Sequence, residues 1–512
     1  MTIHHNRLRC AYFTSMHSLA LTLDHHAYLM FPPLLLLTTL PFLALQRPHP
    51  QRFPTISPSI QLLLTTYQTS LPTILLITSQ YVLGYLILGF VATFTPATSC
   101  LRHATVALIF ALAISIQIAV SHGVSLPVPI AQYGTVAITA WTQVFSAIDI
   151  LLLKRVTYEE HVAWVSKRNQ DRGRDNNEKV KPIRDSGTGN KQGTPTPRQG
   201  SIWEAMYFAI CLPNNTRLLG TKWQISSVYN FYNFYNCSGP IPPPSRAKFL
   251  RVRACTLISS LLVGAVCLVY MIAPCSNSSS SWLPIPSRAT LATVLQQTPS
   301  ELPHPASLTK PPGVQFYLYA LFIGSVFLLH KVGYTFYSLV AVGCHLSPPE
   351  HWPPFYGAAS EAWTVRRFWG NFWHQIFRSF LDSNANFIVS LLGLRRQSLV
   401  CRYMRYTIGF FISGFLHLTL DHALGIRGPE LLGAMIAYLL QPIAFAIEDL
   451  VGVIFQKYSS GKAGETKDRE TFRRRRKLIG YIWVAAFIFW SWRFWGFILL
   501  KRVLLVDGQV GG

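Results

Sequence analysis

Apolar runs about twenty residues long recur along nearly the whole chain, and this feature decides what the chain can fold into. They are Tyr28–Leu45, Pro72–Thr95, Thr105–Ser121, Ala131–Leu153, Cys255–Ala273, Tyr317–Val342, Tyr406–Leu424, Leu431–Phe455 and Tyr481–Leu500. A helix needs about 20 apolar residues to cross the hydrocarbon core, and within that core the backbone must satisfy its own polar groups. The expected fold is all-α: a polytopic transmembrane helical bundle of about nine spans. Only 13% of the residues are charged, against about a quarter in soluble domains. A transmembrane β-barrel would show short alternating segments; these runs are continuous.

The net charge of +24 does not imply nucleic acid, because the basic residues crowd into two loops beside spans. That is the pattern of cytoplasmic loops, whereas nucleic-acid binding needs a basic face on its own fold. The first loop, Lys154–Gly200, has too few apolar residues to bury a core and is expected to be disordered. The second, Gln456–Lys477, ends in four arginines and a lysine and suits anionic headgroups. Nine cysteines contain no Cys-x-x-Cys pair, which argues against a zinc site and a disulfide-stapled ectodomain. Three regions result: N-terminal membrane helices at 1–153, the basic cytosolic loop at 154–200, and a C-terminal region at 201–512. The loop Pro274–Pro312 carries Asn277-Ser278-Ser279, an N-glycosylation acceptor if that loop is lumenal.

Two segments carry the chemistry. In the run Tyr406–Leu424, His417 lies at bilayer depth, where an ionisable side chain is a functional candidate by default. Ser413, His417 and Asp421 follow at i, i+4 and i+8 and so share one helix face. A carboxylate at Asp421 is placed to fix one ring nitrogen as a donor, leaving the other to accept a proton near neutral pH. The second segment, Pro348–Arg405, alternates aromatics with arginines and suits amphipathic helices lying in the interface. Within it, Arg367, Trp369, Asn371, Trp373 and Arg378 surround His374. Arginines fork onto phosphate oxygens, and tryptophans stack a base or line an acyl tunnel. The blander readings are a packing histidine and simple interfacial anchoring. The conjunction of the two segments favours an enzyme.

Arg-Phe-Trp-Gly-x-x-Trp-His-Gln at Arg367–Gln375, followed by Ser-Gly-x-x-His at Ser413–His417, resembles the wax-synthase-like branch of the membrane-bound O-acyltransferases. The likeness is greatest to fungal members that acetylate terpenoid and meroterpenoid alcohols. Asn215–Trp223 is similar to a polar element ahead of the catalytic half of that branch. The resemblance covers roughly residues 200–500. It implies a multi-pass protein of the endoplasmic reticulum with an acyl-CoA co-substrate, a lipophilic alcohol acceptor, and neither a tightly bound cofactor nor a metal. It maps the catalytic histidine to His417 and an upstream polar position to His374. The chain departs from the pattern at Leu418, where members often carry an acidic residue, and at Asn371 and Phe372, where basic residues are usual. A long-chain wax or steryl ester synthase is the alternative within the class. From another class, His417, Asp421, Glu448 and Asp449 would form the relay of a proton-coupled transporter.

Overall fold

The computed structural model describes residues 58–121, 130–179, 201–225, 244–272, 312–459, 466–499 and 502. Among them every regular element is helical. Twelve helices carry the fold: α1 (Pro58–Phe94), α2 (Leu101–Ser121), α3 (Ile130–Ala147), α4 (Tyr158–Lys179), α5 (Ile202–Cys211) and α6 (Arg246–Ile272) form the first half. They are followed by α7 (Pro312–Gly343), α8 (Arg378–Leu391), α9 (Leu399–Ala423), α10 (Gly433–Leu439), α11 (Gln441–Ser459) and α12 (Thr466–Trp492).

Six segments among the described residues are long and apolar enough to span: Leu75–Phe94, Leu101–Ser121, Tyr133–Leu153, Arg246–Val266, Phe322–Gly343 and Gly428–Ile454. The run Tyr28–Leu45 lies outside the described residues, as does Asn277. Two other expected spans are helical yet fall short of that apolarity. Helix α9 carries His417, Asp421 and His422 in its last two turns. Helix α12 carries the cluster Arg473–Lys477 in its first half, and a turn follows Trp492. The span Gly428–Ile454 is itself broken between α10 and α11, just before Pro442. Proline has no N–H for the helical ladder, and its ring clashes with the preceding turn.

The first basic loop departs from expectation, since its described part, Tyr158–Lys179, is helical. Glu159 and Glu160 in the first turn complement the positive helix N-terminus. His161 stacks on Phe208 at 4.8 Å, and Lys222 pairs with Glu160. The interfacial segment is also less regular than amphipathic helices would be. It consists of short turns (Pro349–His351, Ala359–Glu361, Val365–Arg367, Phe368–Phe372) before α8 begins.

Buried polar staples hold the bundle. Arg102 is fully buried, and its guanidinium donates to the Thr95 hydroxyl and to the carbonyls of Ala92, Thr95, Leu151 and Val156 at 2.8–3.4 Å. It thereby ties α1 and α2 to the π-helical extension of α3 at Ile148–Leu153. In that extension Asp149 accepts from Lys154 at 2.6 Å and from the Ser379 hydroxyl at 2.7 Å, joining the N-terminal helices to α8. Helix α9 packs on α3, α8 and α10, so the His417 face is enclosed by both halves of the chain.

Candidate active site

His374 follows a π-helical turn, Phe368–Phe372, closed by Trp373 N–H donating to the Phe368 carbonyl at 2.7 Å. Such turns often mark functional sites. Thr364 caps the preceding turn by accepting from the Arg367 N–H, while Glu448 accepts the N–H groups of Val365 and Arg366. At Trp373 the backbone becomes extended. Gln375 is buried and donates to the carbonyls of Trp369 (3.0 Å) and Trp373 (2.6 Å), fixing the loop on both sides of the histidine.

The His374 ring contacts Trp373, Phe355 and Phe377, and lies 5.3 Å edge-on from His330 of α7. Its Nδ1 is buried and has no hydrogen-bond partner among the described residues. Burial, then the neighbouring His330, holds this imidazole well below its usual range, so it is neutral near pH 7. His330 Nδ1 is 3.0 Å from the Tyr356 hydroxyl.

The His417 tautomer follows from its partners. Nδ1 lies 2.7 Å from the Ser413 carbonyl oxygen, which only accepts, so Nδ1 carries the proton. Nε2 therefore presents its lone pair and accepts from the Tyr438 hydroxyl at 3.0 Å. The Tyr438 ring lies 4.6 Å from the imidazole, and Trp495 meets it edge-on at 4.9 Å. Asp421 does not hold the imidazole as expected. It is fully buried, and its Oδ1 accepts from Trp495 Nε1 at 2.9 Å. Helical side chains lean toward the N-terminus, which brings the His417 ring onto the Ser413 carbonyl and away from Asp421. Trp495 stands between the two, donating to the carboxylate and meeting the imidazole with its ring.

A cavity of about 1810 Å³ is lined by His417 and His374 together, with His330, Trp373, Tyr334 and Trp495. Of the five residues expected to hold the donor, Trp373 alone is on this wall. Arg367 pairs with Glu361 and stacks 4.9 Å over Trp363. Trp369 donates to Gln441 at 2.9 Å. Arg378 is engaged by the Gly370 carbonyl, Gln375 and Asp382, and half-buried Asn371 stays off the wall. The proposed proton relay is not assembled either. Asp449 takes Arg366, Arg402 and Tyr403 at 2.6–2.8 Å, Glu448 caps the turn at Val365, and neither lines the cavity.

The sequence reading missed His330, Tyr438 and Trp495, and gave no role to Arg217, which lies in the stretch Asn215–Trp223 noted for its likeness. His330 was detectable, because it sits within the apolar run Tyr317–Val342 as His417 does in its own run. Tyr438 and Trp495 carry no such signal, since aromatics are common in spans.

Residues 352–440 match the Membrane bound O-acyl transferase family. The chain is 39% identical over 167 residues to acetyltransferase ataH of Aspergillus terreus, which covers 32% of this chain and 52% of the relative. It is 28% identical over 318 residues to acetyltransferase aurG of Calcarisporium arbuscula, covering 60% and 69% respectively. With acetyltransferase spyB of Aspergillus fumigatus it shares 31% identity over 163 residues, 31% of this chain and 27% of the relative. The chain thus spans about half the length of the first of these relatives.

Proposed function

We propose that this chain, similar through its C-terminal region to membrane-bound O-acyltransferases and fungal acetyltransferases, is a membrane-embedded acyl-CoA-dependent O-acyltransferase. It transfers acetyl from acetyl-CoA to the hydroxyl of a lipophilic alcohol of the terpenoid or meroterpenoid class. The observation that carries this reading is the orientation of His417, whose Nε2 lone pair is held at the wall of a large, mostly apolar cavity that also contains His374.

In this reading the acceptor hydroxyl takes the place of the Tyr438 hydroxyl at Nε2. As its oxygen bonds to the thioester carbonyl carbon, its proton passes to Nε2. The tetrahedral intermediate then collapses, the C–S bond breaks, and the departing sulfur takes the proton back from Nε2, giving ester and free thiol. In this reading neutral His374 donates from a ring N–H to the developing oxyanion. The apolar wall excludes water, which would otherwise hydrolyse the thioester.

The test is thiol release from acetyl-CoA by the purified protein with a terpenoid alcohol present. A general base contributes about 10²–10⁴-fold, so His417→Ala should lower kcat by that factor without loss of folded protein. Turnover at the wild-type rate would end the assignment. A long-chain acyl donor is the second reading, because about 1810 Å³ also admits a fatty chain; a series of acyl-CoA chain lengths in the same assay separates the two.

A further inference from the structure

Arg217 is 4% exposed and lines the cavity that holds His417 and His374. Its Nη2 donates to the Tyr334 hydroxyl at 2.8 Å and its Nη1 to the Pro354 carbonyl at 3.4 Å. A guanidinium has five N–H donors, so three have no acceptor among the described residues. No carboxylate pairs with it there. A buried charge without a counter-ion is expensive, and the Tyr334 ring 5.6 Å from its guanidinium carbon is a weaker partner than a carboxylate.

The wall supplies no counter-charge. Besides Arg217 it includes Lys331, and no Asp or Glu. Lys331 and Tyr334 are three apart on α7 and share a face, so the hydrogen bond from Arg217 to Tyr334 brings both cations to one part of the wall. The backbone there is shaped to hold Arg217 in place: Leu218 and Gly220 have positive φ, and Asn215 both accepts from the Leu219 N–H and donates to the Leu219 carbonyl at 2.8 Å. This end of the cavity adjoins the first basic segment, through Lys222 on Glu160 and through His161 in the lining, and that segment is expected to be cytosolic. His374 and His417 line the same cavity as Arg217.

From this arrangement we infer that Arg217, with Lys331, forms the phosphate subsite of the cavity and receives a phosphate of the CoA moiety of the donor. The inference rests on the acyltransferase reading and specifies where the donor enters. It moves donor recognition from the arginines around His374, which are tied up in structural pairs, to an arginine about 150 residues earlier, as the numbering shows. The pantetheine arm then runs along the wall toward His374 and His417, and the thioester arrives at Nε2 from the cytosolic side.

The experiment compares wild type, Arg217→Gln and Arg217→Lys with two donors, acetyl-CoA and S-acetylpantetheine, which has no phosphate. It also measures equilibrium binding of CoA itself to each protein in detergent, which needs no turnover. A charge-assisted hydrogen bond is worth about 1.5–3 kcal/mol, a factor of roughly 10–150. Arg217→Gln should therefore raise KM for acetyl-CoA and weaken CoA binding by about that factor, leaving kcat/KM for S-acetylpantetheine within twofold, and Arg217→Lys should recover part of the loss. Equal losses with both donors would mean a packing role and overturn the proposal. So would unchanged CoA affinity in Arg217→Gln, whether or not added phosphatidate then stabilises wild type selectively, a result that assigns the site to a lipid headgroup. If wild type binds CoA through Arg217 yet releases no thiol, the acyltransfer reading fails while the subsite stands.

Discussion

A methyl group added at Gly414 tests how tightly the catalytic geometry is set. Gly414 lies on α9 one turn before His417, where α9 crosses α10. A Cβ built there would stand 3.0 Å from Met435 Sδ, 3.2 Å from Met435 Cα and 3.4 Å from Tyr438 Cβ. Optimal carbon contacts are about 3.5–4.0 Å. The thioether can swing aside, but the Met435 backbone cannot, so the helices must part by a few tenths of an ångström. Overpacking costs about 1–3 kcal/mol, and replacing helical glycine by alanine returns about 1 kcal/mol. The thermal midpoint should therefore fall only modestly. Activity should suffer more, because the displaced helix carries Tyr438, whose hydroxyl sits 3.0 Å from His417 Nε2. A 1 Å misplacement can cost about 10²-fold in rate, so roughly half that shift should lower kcat/KM about 10-fold. The assay is thiol release from acetyl-CoA with acceptor alcohol, run beside a thermal melt. Gly409→Ala is the control on the same helix, since nothing lies within 4 Å of its added Cβ; it should keep full activity. Gly414→Ala within twofold of wild type would refute the claim that the α9–α10 approach sets the site.

Tyr438→Phe removes the hydroxyl that the acceptor must displace from Nε2, a bond worth about 1 kcal/mol, and should leave kcat/KM unchanged or raise it by up to about fivefold; a loss approaching that of His417→Ala would show that Tyr438 does more than occupy Nε2 before the acceptor binds. Arg102→Met strips partners from three buried carbonyls and a partly buried fourth, and at about 1–3 kcal/mol for each buried group left unsatisfied the variant should not accumulate as monodisperse protein. A normal yield and melting profile would contradict the role given to this staple. Asp149→Asn should destabilise by about 3–5 kcal/mol, because it leaves Lys154 without its buried partner, and Asp149→Asn with Lys154→Met should recover most of that. Thermal melts of the two decide the matter; a double variant no better than the single would show that Asp149 does not act through Lys154.

The sequence alone determined the class of structure. Runs of apolar residues near the length of a bilayer crossing force helices, because hydrocarbon offers the backbone no other partner. It also singled out His374 and His417, since an imidazole in an apolar or basic-aromatic setting is costly without a use. Eight of the nine runs fall on described helices, six of them apolar enough to span and two, α9 and α12, short of that because of the polar and basic residues they carry. Only the tertiary structure decided which atoms meet. Spacing along α9 put Asp421 on the same face as His417, but the lean of helical side chains gave Nδ1 to Ser413, and Trp495, 74 residues away, took the carboxylate. Composition could not separate Arg367 and Arg378, committed to local pairs, from Arg217, buried at the cavity wall with donors to spare. Local pattern reports what a segment must avoid, namely water or hydrocarbon. A side chain's partner depends on helices brought together from distant parts of the chain, and no local pattern encodes that.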